Sequence, residues 1–440
     1  MGLASWDWYL DGWIIIIGVL SAVSASLLGN FLVLRRMCML GDAISHAVLP
    51  GLAAAFFLSG SRSSGAMFLG AVLVGVLTAF FTEWIRNSGR VDESASMGVV
   101  FTSLFAIGLV MIVQAADRVD LDANCVLYGA IELAPLDTVR LFQFDIPWSA
   151  VVLGVMAIVN AVFVTLFYKE LKLSSFDPSL ATSAGFNASF MHYMLMTLVA
   201  VTSVASFESV GNILVVAMFV VPAATAYLLT DRLVVMIVLS VVVAGVSAVL
   251  GHIAAIVVPA WFGYHSTTTA GMMATTSGLF LGLAVILAPR HGVLVKLVQR
   301  RFLSFRILSD DIVGVLYRVQ EKQLHDGPTP EMLADILFAG TRQVRIALFW
   351  LKFRDQVENR NSQYLLTSAG EVRARELVRS HRLWEEYLVS HAGLEREKIH
   401  DKAEQFEHFT DRELREQLNQ ATGLPNVDPH GSPIPNEQED

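Results

Sequence analysis

The sequence predicts an all-α polytopic membrane bundle of eight or nine transmembrane helices, followed by a water-soluble, charge-rich part with the outline of a winged helix-turn-helix. Three observations carry this. Hydrophobic residues make up 54% of the 440 residues and charged residues only 16%, where a soluble chain carries about a quarter. Apolar runs long enough to cross hydrocarbon, about 20 residues each, recur through the first two-thirds. From Phe302 onward such runs vanish and Lys, Arg, Asp and Glu become dense. The net charge of -9 therefore averages two unlike parts.

Candidate spans are Trp13–Leu34, Ala43–Leu58, Ala66–Trp84, Gly98–Gln114, Ser149–Tyr168, His192–Phe207, Asn212–Leu229, Leu233–Val258 and Ala270–Leu287. The second and sixth are short or polar, which leaves the count at eight or nine. The acidic N-terminus MGLASWDWYLDGW is unlike a basic signal peptide and leads into a span long enough to be retained. Basic residues in the short loops set orientation. Arg35 and Arg36, Arg86 and Arg90, Lys169 and Lys172, Arg232, then Arg290, Lys296, Arg300 and Arg301 fall at alternating ends. The opposite ends hold Arg62 and the acidic AADRVDLDAN. This assignment puts the N-terminus outside and the last third in the cytoplasm.

Gly, Ala and Ser are frequent in the spans, as close helix contact in lipid requires. No span is Arg-rich and no TVGYG-like filter occurs, which argues against a channel. Only Cys38 and Cys125 are present, without a CxxC, so disulfide frameworks and thiolate metal sites explain little.

GDAISHAVLPGLA, Gly41–Ala53, places Asp42 and His46 on one helical face. Ionisable groups near a span are expensive and functional by default. A carboxylate with an imidazole suits a divalent first-row metal. The alternative is that Asp42 caps a helix while His46 packs against a neighbour.

This stretch resembles the signature GDxxSHxxLPGxA of permease subunits of ABC importers for manganese, zinc or iron. Ordered matches follow over about Trp13 to Val295: SFDPSLATSAGFN, VGNILVVAMFVVPAATAYLLTDR and APRHG. HSTTTAGMMA departs from the family's more usual Pro-Ser-Gly or Pro-Thr-Gly before the last span. The resemblance implies a homo- or heterodimeric permease in a bacterial-type plasma membrane, a separate cytoplasmic ABC ATPase and an extracytoplasmic metal-binding protein. The chain has no GxxxxGK[ST] phosphate loop, and the permease itself would not be an enzyme. Asp42 and His46 would line the translocation path. Asp177, Pro178, Ala181 and Gly185 would form the helix that couples to the ATPase. Physically, a short helix opened by Pro and closed by Gly makes a compact lever, and an ordinary Pro-Gly turn is the alternative.

RHGVLVKLVQRRFLSFRIL alternates basic and apolar residues, as an interfacial helix or a plain connector. After it, DIVGVLYRVQEKQ, a Gly-Pro turn, Pro330–Phe338 and a helix from Thr341 precede two strand-like pieces, DQVENR and QYLLTS. Helices followed by a hairpin outline a winged helix-turn-helix. Arg342, Gln343 and Arg345 could meet phosphates and base edges, although ALFWLKF and the turn FAG are more apolar than a groove-reading element. Further on, His381 and Glu385 are four apart. His400, Glu404, Glu407 and His408 follow at helical offsets, as metal ligands or as a solvated charged face.

From Ser309 to about Pro433 the chain resembles the diphtheria-toxin-repressor and manganese-repressor family, through YLLTSAGEVRARELVRSHRLWEEYL, GLEREKIHDKAEQFEHFTDREL and VDPHGSPIP. The resemblance implies a winged-helix domain followed by a helical metal-binding and dimerisation domain. It assigns Asp311, Glu404, Glu407 and His408 to the principal metal site, and His381, Glu385 and His400 to a second. Glu404 stands where iron-responsive members tend to have Cys, which favours Mn²⁺ over Fe²⁺ or Zn²⁺. Gly314 stands where manganese-responsive members carry a ligating Glu, which implies a weaker or missing second metal. The expected domains are 1–295 permease, 296–308 juxtamembrane linker, 309–372 winged helix, 373–424 metal-binding and dimerisation, and 425–440 tail. The expected function is a divalent-metal importer permease carrying a metal-sensing repressor that binds operator DNA. A transporter whose sensor acts only as a gate is one alternative, and a membrane signalling protein that transports nothing is another. Release of the sensor by proteolysis near Arg300–Leu308 is a further expectation.

Overall fold

The computed structural model describes residues 6–59, 64–89, 92–116, 131–141, 144–264, 267–321, 327–360, 363–394 and 399–436. The acidic segment 117–130, with Arg118 and Cys125, lies outside them. So do Arg62, Arg90, His265 and Ser266. The chain divides into two compact units, Met1–Val295 and Lys296–Asp440.

The first unit is built from α1 (Trp8–Leu34), α2 (Leu40–Ala47), α3 (Leu49–Ser59), α4 (Ser64–Gly89), α5 (Glu93–Ala116), a hairpin of β1 (Thr138–Leu141) and β2 (Phe144–Pro147), α6 (Trp148–Leu166), α7 (Tyr168–Phe176), α8 (Pro178–Ser183), α9 (Ala188–Val210), α10 (Asn212–Leu229), α11 (Leu233–Trp261) and α12 (Thr269–Leu287). Nine candidate spans lie among the described residues. The short second candidate spans Leu40–Ser59 as two helices broken at Val48, C-cap of α2. Pro50 follows two residues on, in the first turn of α3, and its ring denies the backbone a donor at the break. The sixth candidate extends to the whole of α9.

Without a hydrophobic drive between helices in lipid, close approach and polar ties must hold the bundle. Gly29 supplies the approach: a Cβ there would lie 1.9 Å from the carbonyl oxygen of Phe219 on α10. Buried amides supply the ties. Asn30 Nδ2 donates to Ser240 Oγ on α11 at 2.7 Å. Asn160 Nδ2 on α6 donates to Ser24 Oγ on α1 and Thr202 Oγ1 on α9, each at 2.9 Å.

The second unit contains α13 (Val293–Glu321, begun at the end of the first unit), α14 (Pro330–Ile336), α15 (Thr341–Phe353), β3 (Val357–Arg360), β4 (Gln363–Leu366), α16 (Ser368–Ser390), α17 (His400–Glu407) and α18 (Arg412–Ala421). Residues 296–308, expected as a linker, are helical within α13. The strands pair antiparallel, Val357 opposite Leu366 and Arg360 opposite Gln363. Ile312, Val313 and Leu316 of α13 close on Leu333, Val344, Leu348 and Leu351. This is the helix–helix–helix–hairpin order of a winged helix. Thr367 caps α16, its Oγ1 accepting from Gly370 N at 3.1 Å, and α16 runs across the boundary expected at 372.

Candidate metal centres

On α16, His381 and Glu385 are one turn apart and both buried, 4% and 2% exposed. His381 Nε2 lies 3.1 Å from Glu385 Oε1, and His400 Nδ1 at the start of α17 lies 3.0 Å from each of them. A second group joins α13 to the end of α17: Asp311, Glu407 and His408. There His408 Nε2 is 3.2 Å from Asp311 Oδ1 and 3.8 Å from Glu407 Oε1. Glu407 links the two groups: its other oxygen, Oε2, is 2.5 Å from His381 Nδ1, the ring nitrogen opposite the Nε2 that faces Glu385 and His400. Each trio's donor atoms fall within 4.8 Å of one another.

Burial alone would lower the His381 pKa, but Glu385 and Glu407 beside it outweigh this and raise it to about 9. Burial likewise opposes protonation of His408, and Asp310 with Asp311 raise it to about 10. Burial would push Glu385 up, but the neighbouring His381 and His400 overcome it and hold the carboxyl down at about 2. A carboxylate-rich cage that retains protons above neutrality is a cage built for positive charge. The donor set fits a divalent ion in kind, with carboxylate oxygens and imidazole nitrogens and no thiolate. In addition, buried His408 Nδ1 has no hydrogen-bond partner; its nearest carboxylate, Asp310 Oδ2, is 3.8 Å away.

Glu404 is exposed and joins neither group. α17 spans only His400–Glu407, and Glu404, one turn from His400, shares the arc of His400 and Glu407 with its side chain exposed. At Gly314 a Cβ would meet nothing within 4 Å, so the glycine leaves open space. Sequence reasoning passed over His430, whose Nε2 is 3.9 Å from Glu385 Oε1. Its signal was available in VDPHGSPIP: Asp428 Oδ1 accepts from the backbone N–H of His430 and Ser432 at 2.9 and 2.8 Å, which fixes the turn presenting the imidazole.

In the membrane unit, Asp42 and His46 both lie on α2, His46 Nε2 3.5 Å from Asp42 Oδ1, each about one-third exposed. The helix N-cap is Met39, without a side-chain cap bond, so Asp42 does not cap it. His46 does pack, against the rings of Phe101 and Phe105 on α5. The pair sits beside a mid-span break, where irregular backbone in membranes lines cavities rather than lipid.

The stretch expected to couple to the ATPase forms the six-residue helix α8. Asp177 caps it, Oδ1 accepting from Leu180 N at 2.9 Å, Pro178 opens it, and Ala181 is its buried anchor. Gly185 ends the segment at φ +88°. Sequence reasoning missed what lies behind it. Arg35 at the end of α1 donates to Ser175 Oγ (3.0 Å) and Ser174 Oγ (2.8 Å) on α7. Its Nη1 also meets His192 Nδ1 at 3.1 Å, and His192 Nε2 meets Glu83 Oε2 at 3.1 Å. Arg35 can only donate, so Nδ1 accepts and Nε2 carries the proton given to Glu83. The chain of contacts ties α1, α4, α7 and α9 together.

On α15, Arg342 and Gln343 are exposed, while Arg345 Nη2 donates to Glu331 Oε1 of α14 at 2.7 Å. Beyond them the outward stripe is apolar: Ile346, Phe349 and Phe353 are 59%, 74% and 83% exposed.

Residues 10–287 match the family model of the ABC 3 transport family. The chain belongs to this family. Residues 367–436 match the model "Iron dependent repressor, metal binding and dimerisation domain", which covers both metal-ligand groups except Asp311. The chain is 43% identical over 287 residues to the manganese transport system membrane protein MntD of Bacillus subtilis, covering 65% of this chain and 95% of that protein. It is 35% identical over 362 residues to the zinc transport system membrane protein TroD of Treponema pallidum, covering 81% and 96%. Among solved structures, PsaBC from Streptococcus pneumoniae aligns at TM-score 0.53 and 29% identity, covering 66% of this chain and 95% of that one. The family and the nine apolar helices make this ABC 3 chain a multi-pass membrane protein, and a divalent metal is its ligand.

Proposed function

We propose that this chain is the permease subunit of an ATP-driven importer of Mn²⁺, with Fe²⁺ or Zn²⁺ as alternative cargo, and that its second unit is a cytoplasmic gauge of the same metal. The observation that carries the reading is the pair of donor sets in one chain. One is Asp42 with His46 beside a broken span of an ABC 3 permease. The other is the Glu407-linked carboxylate–imidazole groups of the sensor. Both lack thiolate, the preference of harder divalent ions, and the names of the relatives MntD and TroD point to manganese and zinc. The alternation of basic residues between ends supports a cytoplasmic second unit.

In the transport cycle, an extracytoplasmic binding protein presents the ion and Asp42 and His46 replace part of its hydration shell one helical turn apart. The α8 segment, with Asp177, Pro178, Ala181 and Gly185, receives the ATPase stroke. A second permease subunit, of the same or a related chain, completes the path. In the sensor, Asp311, Glu407 and His408, together with His381, Glu385 and His400, would hold the ion. The ion supplies positive charge that ties α13 to α16 and α17, in place of the protons their imidazoles otherwise retain. Exposed Arg342 and Gln343 at the start of α15 favour a second role, contact with operator DNA, and a metal-dependent shift of promoter DNA tests it.

Uptake of radiolabelled Mn²⁺ in a strain whose only copy carries Asp42→Ala with His46→Ala tests the transport reading. Loss of uptake with normal membrane insertion is expected. Uptake at the parental rate overturns the assignment of this pair.

A further inference from the structure

We propose that the second unit docks on the anionic bilayer surface through one joined face: the outer side of α13 between Leu297 and Phe302, and the outward stripe of α15. The proposal deepens the gauge reading and rests on it. On α13, Leu297, Val298 and Phe302 are 54%, 58% and 67% exposed. On α15, Ile346, Phe349 and Phe353 continue the apolar surface at helical spacing. α13 and α15 themselves meet around a cavity of about 430 Å³ lined by Phe302, Phe305, Arg306, Asp310, Trp350 and Arg354, with Phe302 the one residue of the two apolar stretches in its wall. The Phe305 and Trp350 rings there lie 5.7 Å apart. Phe338, in the turn before α15, is 99% exposed. Contiguous apolar surface of this kind marks a contact face rather than a solvated one.

Charge decides among the occupants. Lys296, Arg300, Arg301 and Arg306 are all exposed, and no acidic residue occurs between Gly292 and Ser309. Phenyl groups beside guanidinium and ammonium groups are the signature of a surface seated at anionic headgroups. A second copy seated on the same face would bring these cations against each other. DNA would satisfy the cations, but Ile346, Phe349 and Phe353 offer no donor or acceptor to base edges. Chain connection favours the bilayer further. Residues 288–292 alone separate the last span, ending at Leu287, from Val293, and Phe302 lies only about 14 Å along the helix from there.

The test uses the full chain in lipid nanodiscs, with Cys38→Ser and Cys125→Ser removing the native thiols. A bimane label is placed at Phe353→Cys or, on α18 as reference, at Glu416→Cys. Lipids with a nitroxide near the headgroup should quench the Phe353→Cys label about twofold or more in phosphatidylglycerol-containing discs and far less in pure phosphatidylcholine. The Glu416→Cys label should be unaffected in both. Equal quenching at the two positions, or none at 353, overturns the proposal. So does a 353 label that responds only to added duplex DNA, or an unlabelled Phe353→Cys chain that forms disulfide-linked dimers through that position. If the cysteine-free background does not assemble, quenching of Phe353→Trp by brominated lipid, less that of the parent, reads the same contact: excess quenching supports the docked face and its absence overturns it. Mn²⁺-dependent melting in the same discs reports the gauge separately, so a lost gauge and a misplaced face are told apart.

Discussion

Glu407→Gln is the substitution that asks most of the sensor. Glu407 is 8% exposed, and its two oxygens face different groups, Oε2 toward His381 and Oε1 toward His408. An amide keeps the volume but removes the charge from both. With free Mn²⁺ at a hundred times Kd, binding stabilises the native sensor by RT ln(1 + [L]/Kd), about 2.7 kcal/mol. If the substitution weakens binding about a hundredfold, RT ln 2, or about 0.4 kcal/mol, remains at the same concentration. The difference of about 2.3 kcal/mol corresponds to roughly 5–9 °C in the melting of a unit this size. The assay is the Mn²⁺-dependent melting of the purified chain, with metal content by mass spectrometry after dialysis. His400→Ala provides the contrast, because His400 belongs to one group only. It should remove one ion per chain at most, whereas Glu407→Gln should deplete its own group and also weaken the other, whose His381 it holds through Nδ1. A Glu407→Gln protein that keeps the parental metal content and melting gain refutes the argument that Glu407 links the groups.

Three further outcomes follow from the geometry. Raised imidazole pKa values stabilise the metal-free sensor fully below about 6.5, the ordinary value. That contribution is lost as pH rises through about 9 for His381 and about 10 for His408. Mn²⁺ must displace these protons, so the Mn²⁺-induced melting shift should grow between pH 6 and 8.5, and a shift that shrinks over this range contradicts the proton–metal competition. Gly185→Val forces a β-branched residue to φ +88°, a local cost of about 1–2 kcal/mol. ATP hydrolysis in the assembled transporter should continue with reduced uptake per ATP, and an unchanged ratio dismisses α8 as the coupling element. Arg35→Gln cuts the contacts to Ser174, Ser175 and His192 and should lower uptake with normal membrane abundance; normal uptake shows that the network is dispensable.

Length and hydropathy made the spans legible, because a span is a local property of about 20 residues. The break at Val48 was legible only as Pro50, and the pattern alone made the second span short rather than divided. His381 with Glu385 was readable because an i, i+4 pair is geometry within one helix. Glu404 shares this helical spacing with His400 and Glu407 yet joins neither group, because spacing places residues on a face without fixing which groups the facing helices bring to it. α17 ends at Glu407 with His408 as its C-cap, still in the helical region, and the approach of His408 to Asp311 depends on how α13 is placed. Nothing local announces that Glu407 divides its oxygens between two imidazoles. The Arg35 contacts join residues 139 and 157 positions apart, beyond any periodicity.

The arrangement of the metal groups bears on what a gauge fused to a permease can achieve. Asp311 is the only ligand of its group that lies on α13, and α13 starts only five residues after the last span. An ion that binds Asp311, Glu407 and His408 therefore restrains the helix leading out of the membrane, while one bound by His381, Glu385 and His400 restrains only α16 against α17. Coupling between two sites is reciprocal in free energy and commonly amounts to about 1–3 kcal/mol, or 5–150-fold in affinity. On the proposed reading the Asp311 group would exert such coupling through α13, and the His400 group, linked to it through Glu407, would set how readily it fills. Asp311→Ala should accordingly leave a metal-binding sensor that no longer lowers uptake at high external Mn²⁺, whereas His400→Ala should shift the concentration at which uptake falls without abolishing the fall. Equal effects of the two substitutions on the uptake curve would show that the groups act as one, and the division of labour argued from α13 would be lost.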